Sequence, residues 1–365
     1  MKILFIIHAL TGGGAERVMA TLMNNLCQRG HDICLLTDTE TPFAFDIDAR
    51  IELINLSQPC PDDIHGFRRK FWGYYIIRKV AKEVKCDLAV SFLTEMNCTV
   101  TLALMGSGIP LICSEHSNVL RKYPKKVLLK RSLLYHFPSV VTVLTHHDYK
   151  LWRKKYTNCV RMPNPCDLQE KVPTAKREKV VLAVGRVKQW EIKGFDNLIR
   201  AWAVICHQYQ DWQLQIAGDY DEDSINTLKG FIKETNAENV VFLGFCKDIG
   251  DLMNRSAVFV LPSRIEGLPM ALIEAMNRGC CCVAADCVTG PREIIRDGES
   301  GLLAKADDVK DMCDKINMVI SNDDLRLQLS AKAPSSVSLY DTRKVVNRWD
   351  ILFKAIVKKY ENKNR

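Results

Sequence analysis

Short apolar blocks recur along the chain, divided by longer stretches in which charged residues alternate with spaced hydrophobics. Lys2–His8, Ile33–Thr37, Ile51–Leu56, Leu88–Phe92, Leu111–Ser114 and Val140–Leu144 are such blocks, and Val180–Val184, Trp212–Gly218, Val240–Leu243 and Val258–Leu261 continue the series. Runs that are apolar throughout suit strands buried on both faces of a parallel sheet. The stretches between them read as helices, and regular strand–helix alternation predicts a doubly wound α/β architecture. After Leu261 the pattern gives a loop over Ser263–Leu268, Pro269 as first helical residue, and Gly279 as the helix stop. Near the end, Val345, Trp349, Leu352, Phe353, Ile356 and Tyr360 share one face of a helix over Asp341–Tyr360.

A chain of 365 residues is long enough for two domains of ordinary size. The proline-rich loop Met162-Pro163-Asn164-Pro165-Cys166-Asp167 marks the boundary, followed by a polar linker over Gln169–Lys179. The expected division is 1–165, 166–340, and a terminal helix 341–365. With 47% hydrophobic and 26% charged residues the composition is that of a soluble globular protein, and no apolar run approaches membrane-spanning length. The opening MKILFIIHAL lacks a small-residue cleavage site and runs into glycines, so it reads as a strand rather than a signal peptide. Fifteen cysteines without a CxxC pair point to reduced thiols in a cytosol, mostly packed in the core.

Charge changes the picture of the first half. Residues 1–165 hold 22 Lys/Arg against 14 Asp/Glu, whereas 166–365 hold 29 of each, so the whole excess of +8 lies before the boundary. Two stretches supply most of it. Phe67–Lys85 mixes seven cations with Phe67, Phe71, Trp72, Tyr74 and Tyr75, and Arg121–Arg131 carries six cations and no acid. Leu120, Val127 and Leu134 fall at heptad spacing there, which predicts an amphipathic helix with a basic face made by Arg121, Lys122, Lys125, Lys126 and Lys130. Such a face is usually just solvated; two of them with interleaved aromatics suit the surface of an anionic membrane.

Candidate chemistry gathers at strand ends. Glycines 12–14 lie between a strand and a helix, where backbone N–H groups of Gly13 and Gly14 face an anion; tight turns need glycine too, and Asp38 at the next strand end keeps a dinucleotide site open. Glu266 and Glu274 are spaced E-x7-E across the Ser263 loop and the following helix. Glu274 stands among apolar residues, so it requires a partner, which an ordinary cation or a ligand hydroxyl would supply. The triplets Asp219-Tyr220-Asp221 and Asp221-Glu222-Asp223 spell DxD, yet they open a helix, where acids are favoured anyway.

The sequence EGLPMALIEAM followed by TGPREIIRDGESGLL resembles the signature of the retaining nucleotide-sugar glycosyltransferases of family 4, the group 1 type of bacterial surface-polysaccharide and lipid-linked glycan assembly. GGGAER resembles that family's first loop, MPNPCD its PNG-type interdomain motif with Pro165 in place of glycine, and Gly185-Arg186 with Lys193-Gly194-Phe195-Asp196 its diphosphate-gripping motif. The resemblance implies the GT-B fold, two Rossmann-like doubly wound domains facing each other across a cleft, with the last helix bracing the first domain. It further implies that Arg186 and Lys193 hold the departing diphosphate, Glu266 and His116 the transferred sugar, and Glu274 the ribose. The backbone of Gly267, Leu268, Pro269 and Met270 would meet sugar and phosphate oxygens, and the loop around Cys246 the base. Arg186 and Lys193 are seven apart, wider than the family habit, so Gln189-Trp190-Glu191 reads as an insertion and Lys188 as the alternative cation.

The implied enzyme is a hexosyltransferase of class EC 2.4. It is expected to work without metal or other cofactor, on a nucleoside-diphosphate sugar, by family habit UDP, and a saccharide acceptor, polyprenyl-diphosphate-linked if the basic face meets a membrane. Its expected place is the cytoplasm, peripheral at the inner membrane face, with no nucleic-acid partner. A GT-B epimerase or phosphorylase competes within enzymes, though no motif marks a pyridoxal-phosphate lysine. Outside enzymes, the alternative is a non-catalytic sugar-nucleotide or polyanion binder.

Overall fold

The computed structural model describes residues 1–61, 71–118, 123–168 and 177–364. The chain forms two compact units, Met1–Pro165 with Arg343–Arg365, and Cys166–Thr342.

In the first unit the described strands are β1 (Lys2–Ile6), β2 (Asp32–Thr37), β3 (Glu52–Asn55), β4 (Leu88–Phe92), β5 (Leu111–Ser114), β6 (Val140–Val143) and β7 (Cys159–Arg161). They pair in parallel in the order β3-β2-β1-β4-β5-β6-β7. The helices between them are α1 (Gly14–Gln28), α2 (Trp72–Val84), α3 (Thr94–Leu104), α4 (Lys125–Leu134) and α5 (His146–Trp152). Strands β4, β5 and β6 are buried at every position, which is why their sequence is apolar without alternation.

The second unit holds β8 (Glu178–Val184), β9 (Gln213–Ala217), β10 (Val240–Gly244), β11 (Ser256–Leu261), β12 (Cys281–Asp286) and β13 (Leu302–Lys305), in the parallel order β10-β9-β8-β11-β12-β13. Its helices are α6 (Trp190–Lys193), α7 (Phe195–Ile205), α8 (Glu222–Thr235), α9 (Ile249–Arg255), α10 (Met270–Asn277), α11 (Pro291–Ile294), α12 (Val309–Ser321) and α13 (Asp323–Ser336). The chain then returns as α14 (Thr342–Asn364), whose Val345, Val346, Trp349, Phe353 and Ile356 are buried in the first unit's core beside Ile3, Phe5 and Val90.

Several boundaries differ from those read in the sequence. β1 stops at Ile6, and β7 was not anticipated. β8 starts at Glu178, and Arg177 caps neighbouring chain ends through the Met253, Asn254 and Ser256 carbonyls, so the linker ends before it. Pro269 is the N-cap of α10 rather than its first residue. The cysteines are all free and mostly buried; burial pushes the Cys281 thiol up to about 12. Among the described residues no helix is long and apolar enough to cross a membrane.

Candidate active site

In the second unit the candidate residues collect at the carboxyl ends of β8, β9, β10 and β11. Gly185 follows β8 and donates its N–H to the Ala217 carbonyl at 3.0 Å, while Gly218 donates to Gly244 at 2.8 Å. Gly218 has φ +148°, and a Cβ there would stand 1.7 Å from the Gly185 carbonyl oxygen. Only bare backbone lets these strand ends close up. Arg186 comes next. Its carbonyl accepts the Gln189 N–H at 2.9 Å, and its side chain is exposed, with no hydrogen bond or ion pair among the described residues.

Of the residues read as an insertion, Trp190 and Glu191 open the single-turn α6, with Trp190 edge-on against Phe231 at 5.5 Å. That turn carries Lys193 back toward Gly185 and delivers its Nζ to Glu266 Oε1 at 2.8 Å. The wider spacing is therefore absorbed locally. Lys188 instead pairs with Asp219 at 3.6 Å. Two of the DxD acids are thus occupied: Asp219 by Lys188, and Asp221, which caps α8 by accepting the Ser224 N–H at 2.9 Å.

Glu266 is only 10% exposed at its side chain, and its loop is shaped from outside. The Thr289 hydroxyl donates to the Glu266 carbonyl, and a Cβ on Gly290 (φ +97°) would lie 2.8 Å from the Gly267 carbonyl oxygen. Neither Thr289 nor Gly290 was singled out in the sequence, although both stand in the TGP stretch. Leu268 and Pro269 are buried, Met270 opens α10, and Glu274 is half-buried on the second turn. Cys246 lies just beyond β10, its thiol donating to the Leu243 and Gly244 carbonyls.

In the first unit, the glycine loop and His116 follow the carboxyl ends of β1 and β5, the two strands that flank β4. Of the Gly13 and Gly14 N–H groups expected to face an outside anion, that of Gly13 is taken up by a side chain of the same segment. Glu16 Oε2 accepts the N–H groups of Gly12 at 2.8 Å and Gly13 at 3.0 Å. A tethered carboxylate thus stands at this helix start, where negative charge is favoured. Asp38 is also committed, accepting from the Thr41 hydroxyl at 2.6 Å and the Glu40 N–H at 3.1 Å.

His116 stacks on Phe92 at 4.3 Å and places Nε2 3.0 Å from the Ser114 hydroxyl. Burial drives its pKa down to about 3, with the Asn164 side chain acting weakly the other way, so the ring is neutral. Its Nδ1 is buried without a hydrogen-bond partner among the described residues. The preceding residue, Glu115, was missed by sequence reading. It is buried and accepts from the Tyr135 and Thr94 hydroxyls, and burial raises its pKa. These bonds anchor the turn that presents His116.

The basic stretch forms α4, on which the expected apolar positions Val127 and Leu134 are half-buried and buried and Lys125, Lys126 and Lys130 are exposed, while Leu120 lies outside the described residues. Arg121 and Lys122 lie outside the described residues, as do residues 67–70 of the other basic stretch. On α4 only Leu134 is buried. Leu129 and Leu133 are 63% and 61% exposed, and Phe137 beyond them 59%. Lys125, Leu129 and Leu133 recur at four-residue spacing, flanked by exposed Lys126 and Lys130, so one outer stripe mixes leucine with lysine. Arg131 turns the other way, its guanidinium 5.1 Å from the Trp152 ring centre.

Comparison with known proteins bears on this arrangement. The family described as Glycosyl transferases group 1 matches residues 167–336, and Glycosyltransferase Family 4 matches residues 12–170. A Campylobacter jejuni relative, named an α-1,4-N-acetyl-D-galactosaminyltransferase of GalNAc-α-(1→4)-GalNAc-α-(1→3)-diNAcBac-PP-undecaprenol, is 28% identical over 96% of this chain and 97% of its own. An amylovoran biosynthesis glycosyltransferase of Erwinia amylovora is 27% identical over 96% and 99%. The structure of Anabaena HepE in complex with UDP superposes with a TM-score of 0.81 at 19% identity, covering 97% of this chain and 100% of that one. The two parallel sheets are those of the GT-B glycosyltransferases.

Proposed function

From the premise that the chain belongs to the family 4 glycosyltransferases, we propose that it moves a hexose or N-acetylhexosamine from a nucleoside-diphosphate sugar, UDP being favoured, to a lipid-linked saccharide. Transfer proceeds with retention and without a metal ion. The observation that carries the reading is the Lys193–Glu266 pair at 2.8 Å beside the exposed Arg186, above strand ends lined with glycine backbone.

In this mechanism the departing nucleoside diphosphate gains negative charge as the glycosidic bond breaks. Arg186 and Lys193 lie at one strand end and stabilise that charge with fixed cations. The Glu266 carboxylate, held in place by Lys193, accepts hydrogen bonds from sugar hydroxyls, and Glu274 accepts from the vicinal ribose pair. Backbone groups of Gly267–Met270 at the start of α10 meet remaining oxygens. His116, neutral at physiological pH, takes by family resemblance the place near the transferred sugar and adds no charge there. The leaving diphosphate takes the acceptor proton, so no second carboxylate is required as base. Committed acids support the metal-free reading: Asp219 serves Lys188, and Asp221 serves α8.

For the acceptor, the lysine–leucine stripe of α4 supports contact with an anionic leaflet, where the acceptor's polyprenyl chain would be embedded. Each lysine near such a surface contributes about 1 kcal/mol, and exposed leucines add apolar insertion. The test is a screen of labelled nucleotide sugars for turnover, with and without a polyprenyl-diphosphate saccharide. Consumption of at least one donor is expected, faster with acceptor. Inertness toward every donor would remove the enzymatic reading.

A further inference from the structure

Asp196 closes the Lys193-Gly194-Phe195-Asp196 motif, yet the transfer chemistry makes no use of it. The residue is 6% exposed, and Arg264 meets it as a fork, with Nη1 to Oδ1 and Nη2 to Oδ2 both at 2.8 Å. Arg200 reaches Oδ2 at 3.2 Å. The same Arg264 donates Nε to Asp307 at 2.6 Å and Nη1 to the Glu191 carbonyl. Its backbone N–H donates to the Ile192 carbonyl at 2.9 Å. Arg264 thus joins three segments: the α6–α7 corner, the turn after β13, and its own loop.

The placement of those contacts is informative. Glu191 and Ile192 immediately precede Lys193, and Arg264 stands two residues before Glu266. The helix bearing Lys193 is four residues long, too short to hold itself, and it ends at Gly194, whose φ is +68°. We propose that Arg264 is a positioning residue that locks α6 against the Ser263–Leu268 loop and so fixes the Lys193–Glu266 pair. The proposal rests on the reading of that pair as part of the donor site. Lysine cannot replace Arg264, because a single point charge does not serve a bidentate carboxylate and further acceptors together.

A double-mutant cycle tests it. Arg264→Gln alone leaves buried Asp196 with Arg200 as its cation partner among the described residues, so Arg264→Gln/Asp196→Asn, which removes the charge with its partner, is measured beside it. Asp307→Asn is a third variant, since asparagine tolerates the φ of +60° at that position. For each, kcat, donor KM, UDP affinity and thermal unfolding are recorded in the native and Lys193→Ala backgrounds. The expected result for the double variant is a kcat loss of roughly 10–100-fold, the scale of a small misplacement, with UDP affinity within roughly threefold. Asp307→Asn should lose less, in the same direction. Without Lys193, the same changes should cost less than roughly threefold, because coupled residues are non-additive. Equal losses in both backgrounds, or losses that follow UDP affinity, overturn the proposal alone. A Lys193→Ala enzyme with wild-type kcat overturns the donor-site reading and the proposal with it.

Discussion

Arg186→Ala separates catalysis from folding more cleanly than any other change in the site. The side chain is exposed and bonded to nothing among the described residues, so its removal should move the unfolding free energy by no more than ~0.5 kcal/mol, the scale of a surface change. Lys193 lacks this advantage. Removing it takes the 2.8 Å ion pair from the largely buried Glu266 carboxylate, at a stability cost of about 1–3 kcal/mol. If Arg186 faces the leaving diphosphate, its loss should reduce kcat by ~10²–10³-fold, or about 3–4 kcal/mol of transition-state stabilisation. Initial rates at saturating donor and acceptor give kcat, and thermal unfolding under the same buffer gives the stability control. Arg186→Lys should recover part of the rate, since it keeps charge without the fork. A folded Arg186→Ala enzyme turning over within threefold of wild type would refute the assignment.

Three further outcomes follow from the same geometry. Activity should survive exhaustive chelation, because Arg186 and Lys193 supply the cations; activity lost to chelator and restored by Mn²⁺ or Mg²⁺ would show otherwise. Lys125, Lys126 and Lys130 changed to Gln, or Leu129 and Leu133 changed to Ser, should weaken sedimentation with anionic vesicles and raise KM for a lipid-linked acceptor but leave donor hydrolysis alone; unchanged sedimentation leaves α4 a solvated surface. His116 should give stability a pH dependence. Its folded pKa of about 3 lies below the unfolded value of about 6.5, so its contribution is full above 6.5 and lost as pH falls toward 3. Urea titrations should show His116→Gln with a shallower acid limb than wild type, by up to about 1.4 kcal/mol per pH unit; parallel limbs would contradict the burial.

The strands were legible because parallel strands covered on both faces leave unbroken apolar runs, as in Leu88–Phe92 and Leu111–Ser114. β7 escaped notice because Cys159–Arg161 is three residues long at a sheet edge. α6 escaped because one turn has no periodicity to read, and its presence decides which lysine reaches Glu266. On α4 the spacing picked out Val127 and Leu134, which are covered, but gave no sign that Leu129 and Leu133 face water. In the glycine loop, a carboxylate three residues along competes for the N–H groups that composition alone assigns to a ligand. The Arg264–Asp196 fork joins positions 68 apart, a pairing that no local pattern announces.

The central claim, transfer of a sugar from a nucleotide donor with its configuration kept, is tested most directly by the product itself. Purified protein is incubated with UDP-α-N-acetylhexosamine and an undecaprenyl-diphosphate saccharide, and the new anomeric centre is read by proton NMR. The account predicts an α-linked product formed with stoichiometric UDP release, and none from Arg186→Ala on the same timescale. A β-linked product, or no glycoside from any nucleotide sugar, would contradict it.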